Sequence, residues 1–325
     1  MTAPFQDDPV YLTELPDDLR MRRMEAARRR RWRRRLAALA VLAVVGAVAA
    51  VAVVTVTRDE GGGRPSSAEP AQATSDEDGQ ASATTYPPDW EPYTGPVPII
   101  GYHAIQPPVE GSTYPELFVP QADFVEQMKW LDERGYEAVT LGQVEDAWER
   151  GGELPPKPVV LTFDDGYLSQ YVAAVPALEH FHWPGVLNLV AEDADLPDDD
   201  VQNMVDANPP WELASHTVTH ADLTTLDSAE LHREVAGSRR ILEDRFGVPV
   251  NNFCYPAGRY DDAVIAAVKA AGYRGATTED PGLASADDPY ALNRIEIHLS
   301  DGLDGFVSKL QAAESESSSG SGTVD

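Results

Sequence analysis

The chain has 325 residues, 42% of them hydrophobic, a single cysteine and a formal net charge of −29. This length fits one large domain plus appendages, and one cysteine, Cys254, excludes an intramolecular disulfide. The charge is uneven: residues 1–60 carry 11 Lys/Arg against 8 Asp/Glu, the remainder 14 against 46, so the body would repel nucleic acid and suits a neutral or cationic substrate.

Residues 1–35 read as a cytoplasmic basic tail, with Pro4, Pro9 and Pro16 in a polar start and ten arginines between Arg20 and Arg35. Leu36 to Val56 is 21 residues without a charge, and spanning a bilayer as a helix takes about 20. The arginines precede this run, so the positive-inside rule keeps the N-terminus cytoplasmic, and they suit anionic lipid heads. The segment is expected to be an uncleaved signal anchor. A cleaved signal peptide is the alternative, but its apolar part normally runs about 7–15 residues. Residues 57–95, rich in Gly, Pro, Ser, Ala, Thr and acid, read as a disordered linker reaching roughly 30–40 Å.

Residues 96–312 alternate strand-like and helix-like runs. Strands are expected at 97–102, 138–140, 159–163, 186–190, 212–215, 252–255, 275–278 and 292–297. Phe124, Met128 and Leu131 share a helix face, and Ser228 to Phe246 and Asp262 to Ala271 read as helices. The alternation predicts an α/β fold, most simply a (β/α) barrel, distorted or incomplete, preceded by one transmembrane helix. A doubly wound open sheet is the alternative, without a Gly-x-Gly-x-x-Gly to support it. Residues 193–209 form an acidic, proline-flanked insertion, and 313–325 a Ser/Gly/acid tail expected to be disordered.

The polar clusters follow predicted strands: Tyr102-His103, Asp164-Asp165, Ser215-His216, Tyr255-Pro256-Ala257-Gly258 and Ile297-His298. In barrels the C-terminal ends of the strands carry the active face. Neighbouring side chains of a strand face opposite ways, so Asp164 and Asp165 can serve one site only where the strand stops and turns, for which Gly166 is suited. Like charges this close resist joint ionisation; a metal on one frees the other as a base. His216 and His220 with one aspartate give three ligands and open positions.

At these residues the chain resembles the polysaccharide deacetylases (NodB-homology domain, carbohydrate esterase family four). Thr162-Phe163-Asp164-Asp165-Gly166 matches the first motif and Ser215-His216-Thr217-Val218-Thr219-His220 the second. Tyr255-Pro256-Ala257-Gly258 looks like a variant of the third, with Ala257 where a bulky aromatic is common. The opening Pro98-Ile99-Ile100-Gly101-Tyr102-His103 is similar to a branch acting on poly-N-acetylglucosamine. The resemblance implies a metal site of Asp165, His216 and His220, commonly for Zn2+, and Asp164 as general base. It implies an oxyanion held by the metal and a backbone N–H near Tyr255, expected to be that of Tyr255 itself, and substrate contacts along Tyr255, Pro256, Ala257 and Gly258. By the same resemblance the general acid is expected to be His103, with His298 in Glu296-Ile297-His298 as the alternative. The resemblance also implies an arginine steadying the base, for which Arg294 and Arg259 are the candidates, Arg294 being preferred. The carboxylate that tunes His103 is not identifiable from sequence. His180, His182 and His232 are expected to be structural.

The implied function is metal-dependent removal of acetyl groups from an N-acetylated, N-acetylglucosamine-type polysaccharide at the cell surface or wall, by an enzyme held to the membrane through 36–56. An O-acetyl polysaccharide esterase shares this chemistry. A non-catalytic glycan-binding protein would not need the base.

Overall fold

The computed structural model describes residues 89–320. The predicted basic tail, membrane anchor and most of the linker lie outside the described residues, and among those described no helix is long and apolar enough to cross a membrane.

The strands in chain order are β1 (Glu91–Pro92), β2 (Ile99–Tyr102), β3 (Glu137–Val139), β4 (Glu153–Leu154), β5 (Pro158–Asp165), β6 (Val186–Leu189), β7 (Glu212–Ser215), β8 (Asn252–Cys254), β9 (Gly275–Pro281) and β10 (Leu292–Glu296). The helices are α1 (Gln121–Glu133), α2 (Leu141–Arg150), α3 (Val175–Phe181), α4 (Asp198–Val205), α5 (Ser228–Phe246), α6 (Asp262–Ala270) and α7 (Gly302–Gly320). Seven parallel strands follow the order β2-β10-β9-β8-β7-β6-β5, and a β2–β5 pairing closes them into a barrel. The closure aligns Ile99 with Val160 and Tyr102 with Phe163. β3 pairs with the first residues of β5 and is not part of the ring.

Side-chain alternation sorts these strands into two faces. Leu161 and Phe163 of β5 pack with Ile100, Leu187, Leu213, Phe253 and Ile295 in the core that the surrounding helices cover. Val160 packs with Ile99, Val186, Ala214 and Leu292 in a second core that also takes in Trp90 and Leu154. Asp164, Asn188 and Arg294 share the parity of that second set, two or more residues nearer the C-terminal ends. The polar site therefore sits on an apolar plug.

Two predicted boundaries move. Residues 90–95, assigned to the linker, belong to the domain: Trp90 is buried, β1 pairs with β4, and Trp148 Nε1 donates to the Gly95 carbonyl at 2.9 Å. The tail beyond 312 continues α7 to Gly320; Ala313 is buried and Tyr136 donates a short hydrogen bond to Glu314. The acidic insertion holds α4, whose Val201, Met204 and Val205 are buried.

Candidate active site

β5 delivers both aspartates. Asp164 keeps the inward parity and is 1% exposed. Asp165 would point away, but its φ of 71° and Gly166's 81° turn the chain at that point. The turn thus begins at Asp165 itself, one residue before the glycine. A Cβ at Gly166 would lie 2.5 Å from Leu189 Cδ1 and 2.8 Å from Ala194 Cβ, so this corner has room for glycine alone.

The loop after β7 brings the imidazoles. His216 Nε2 lies 3.6 Å and His220 Nε2 3.5 Å from Asp165 Oδ1. His216 Nδ1 meets the Cys254 carbonyl at 2.8 Å, which fixes its proton on Nδ1 and leaves Nε2 as the donor atom. Burial pushes the His216 imidazole below its ordinary pKa, against the pull of Asp164 and Asp165, which favours the neutral form that binds metal. Thr217 and His220 both have positive φ, a strained choice above all for a β-branched residue. Buried Glu234 of α5 holds the strained loop: it accepts from Val218 N at 3.0 Å, Thr219 N at 2.9 Å and the Thr219 hydroxyl at 3.1 Å. Thr217 Oγ1 accepts from His220 N at 2.9 Å.

Asp164 is gripped rather than free. Arg294 donates Nη1 to Oδ1 at 2.9 Å and Nη2 to Oδ2 at 2.8 Å, a bidentate geometry. Asn188 Nδ2 donates to Oδ1 at 2.7 Å. Burial alone would raise the Asp164 pKa, but Arg294, then His103 and His216, outweigh it and hold the carboxyl well below the usual range. Cys254 Sγ approaches Oδ2 at 3.6 Å, and burial pushes its thiol far up, as expected of a packed side chain rather than a nucleophile. His103 Nε2 lies 4.0 Å from Asp164 Oδ2, and Gln170 Nε2 ties the carbonyls of His103 (3.0 Å) and Asp164 (2.6 Å) together.

These contacts bear on three sequence expectations. Tyr255 N–H donates to the Thr277 carbonyl at 3.1 Å, so the sheet consumes the amide first assigned to the oxyanion. Gly258 N and Arg259 N donate to the Tyr255 and Pro256 carbonyls, and Pro256 has no N–H, which leaves Ala257, at φ 51°, with the open amide of this turn. Arg259 pairs with Asp222 at 2.6 Å, so of the two arginines it is Arg294 that holds Asp164. His298 lies beside Lys309, Nδ1 to Nζ 3.4 Å, its backbone N–H bonded to Asp301, whereas His103 faces Asp164.

A family model described as polysaccharide deacetylase matches residues 151–276. A solved Bacillus anthracis protein, titled a putative polysaccharide deacetylase, superposes with a TM-score of 0.58 at 30% identity, covering 66% of this chain and 68% of that one. The chain belongs to the polysaccharide deacetylase family. Among relatives of this deacetylase, Bacillus subtilis YxkH, also named as a polysaccharide deacetylase, is 29% identical over 206 residues, 62% of this chain and 71% of its own. The poly-beta-1,6-N-acetyl-D-glucosamine N-deacetylase of Escherichia coli K12 is 29% identical over 237 residues, 59% of this chain but 35% of its own length.

The deacetylase motifs include Asp164, Asp165, His216 and His220 and omit the residues that hold them. Asn188, Gln170 and Glu234 carry no motif. One signal was present: Asn188 is a polar residue on the apolar strand Val186–Leu189.

Proposed function

We propose that this protein is a metal-dependent deacetylase of an N-acetylglucosamine-type polysaccharide outside the cytoplasm, anchored to the membrane through residues 36–56. The observation that carries the reading is the pair of carboxylates in unlike settings: Asp165 open to two imidazole nitrogens, Asp164 clamped by Arg294 and facing His103. The donor set of one carboxylate oxygen and two imidazole nitrogens, all within 4.8 Å of one another, fits a divalent cation, zinc first. Bound there, such a cation supplies Lewis acidity, polarising the acetyl carbonyl and acidifying the attacking water.

The chain's own groups do the rest. Asp164, kept ionised by Arg294, accepts the proton of the attacking water. Ala257 N–H donates to the oxygen on which negative charge develops. His103 delivers a proton to the departing nitrogen, which leaves poorly as an anion. The amide C–N bond breaks, and acetate and a free amine result. The strongly acidic body suits the cationic product and disfavours anionic polymers. The relative named for poly-beta-1,6-N-acetyl-D-glucosamine makes the β-1,6 polymer the first candidate.

The test is acetate release by the purified chain, with zinc or with chelator. The substrates are β-1,6-linked and β-1,4-linked N-acetylglucosamine oligomers, peptidoglycan and acetylated xylan. Zinc-dependent release from the β-1,6 set is expected. Release from xylan alone would replace the reading with an O-acetyl esterase, and release from none would remove the enzyme reading for these polymers.

A further inference from the structure

β9 and β10 run out of step where they reach the catalytic cluster. They pair at Thr277 with Leu292 and again at Pro281 with Arg294, so residues 277–281 of β9 span what 292–294 of β10 span. Bulges of this kind re-aim side chains beside active sites. This one holds Glu279 and Asp280, both exposed. The Thr278 carbonyl, just before them, accepts from Arg294 Nε at 2.7 Å, so the guanidinium that grips Asp164 also anchors the bulge. Asp280 accepts from the Tyr260 hydroxyl at 2.7 Å. Glu279 has the opposite parity and faces the cluster: Glu296, Arg294, Asp164 and His103 all bear on its ionisation.

Glu279 also lies against the turn that follows β8. A Cβ on Gly258, at φ 61°, would stand 2.8 Å from Glu279 Cβ. The turn bearing the open Ala257 amide comes this close only because residue 258 has no side chain. The other carboxylates of the cluster are engaged. Asp164 is held by Arg294 and Asn188, Asp165 faces two imidazoles, and Glu296 lies 3.0 Å from Arg294 Nη2 and 3.9 Å from His103 Nδ1. Among the described residues, Glu279 receives no hydrogen bond and makes no ion pair. Partial desolvation, then Glu296, raise its carboxyl above the ordinary value, against the pull of Arg294. Negative charge held beside like charge favours a cationic ligand. The reaction makes one: each cut turns a neutral acetamide into an amine, which is protonated near neutral pH.

We propose that Glu279 is a specificity-determining residue: it binds the ammonium of an amino sugar already freed of its acetyl group, in the same polymer as the acetamide under attack. This rests on the deacetylase reading above. The preferred substrate is then a partly deacetylated chain rather than a fully acetylated one. New cuts fall beside earlier ones, and amino sugars accumulate in blocks.

The test is titration calorimetry of the zinc-loaded full-length chain with two tetramers that it cannot deacetylate, β-1,6-linked glucosamine and β-1,6-linked glucose. The parent should bind the amino tetramer more tightly than the neutral one. Glu279→Gln should weaken the amino tetramer about three- to tenfold and leave the glucose tetramer unchanged. Asp280→Asn removes the neighbouring charge and should change neither. Equal weakening in Glu279→Gln and Asp280→Asn would assign the preference to the acidic body as a whole and overturn the proposal. Loss of both tetramers in Glu279→Gln would make the glutamate a hydroxyl contact, and no preference in the parent would remove the subsite. In acetate release, Glu279→Gln should lower the ratio of kcat/KM on half-deacetylated to fully acetylated tetramer. Absence of acetate release from either would remove the enzyme reading, while the calorimetry, which needs no turnover, would still decide the subsite.

Discussion

Asp164 and Asp165 are bonded neighbours with different partners, Arg294 and Asn188 for the first and two imidazoles for the second. Asp164→Asn should therefore retain zinc and lose nearly all acetate release, whereas Asp165→Asn or His216→Ala should lose the metal itself. Metal content and turnover, measured on the same samples, check this; the reverse pattern would exchange the two roles. Glu234→Ala strips the partners from Val218 N–H and Thr219 N–H. Each unpaired group costs about 1–3 kcal/mol, and loss of such a supporting residue typically weakens metal binding about 10–100-fold. Urea unfolding and zinc titration would read the two effects separately. Motif residues were legible in the sequence because their chemistry restricts the residue type. The open amide of Ala257 was not, because which N–H remains free depends on Tyr255 bonding to Thr277 in the neighbouring strand. The carboxylate beside His103 was hidden for the same reason: only the β2–β10 register sets Glu296 opposite Gly101.

Backbone turns at the strand ends aim the functional groups. Of the five non-glycine residues with positive φ among those described, Asp165, Thr217, His220 and Ala257 lie at this site. Gly166→Ala would add a Cβ where two side chains already stand within 3 Å, at a φ unfavourable to alanine. We expect a loss of at least about 2 kcal/mol in urea unfolding, together with weaker zinc binding. The expected helix Ser228–Phe246 matches because its ends are written locally: Asp227 and Glu230 form a capping box, and Gly247 closes the helix in the left-handed region. The last turns of α7 were illegible because Ser and Glu there resemble a solvated tail. Their anchor, Tyr136, lies 178 residues earlier.

On the scale of the whole molecule, charge is buried away from the catalytic cluster as well. Buried Glu145 and half-buried Glu212 flank Asn252, and Arg274 Nε approaches Glu145 Oε2 at 3.3 Å. Burial first, then Glu212, raise the Glu145 carboxyl from 4.5 to about 8, against the pull of Arg274. The folded protein then holds a proton that the unfolded chain gives up near 4.5. Stability from this group is greatest below that value, declines as pH rises toward 8, and is level above. Thermal melts between pH 5 and 9 should show the decline in the parent and a flatter profile in Glu145→Gln. A parallel decline in both proteins would assign it to other groups, Glu212 first.

The barrel closes by joining β2 to both β5 and β10. During synthesis Asp164 is made long before Arg294, 130 residues later in the chain. Until β10 docks, Asp164 lacks its counter-charge, and β2 has one edge without a neighbour. An emerging chain therefore carries Asp165, His216 and His220 well before the arginine that completes the cluster. The last-made strand closes the ring and brings the arginine that grips Asp164, so a nascent protein still short of it has no assembled means of acting on any acetylated glycan it meets.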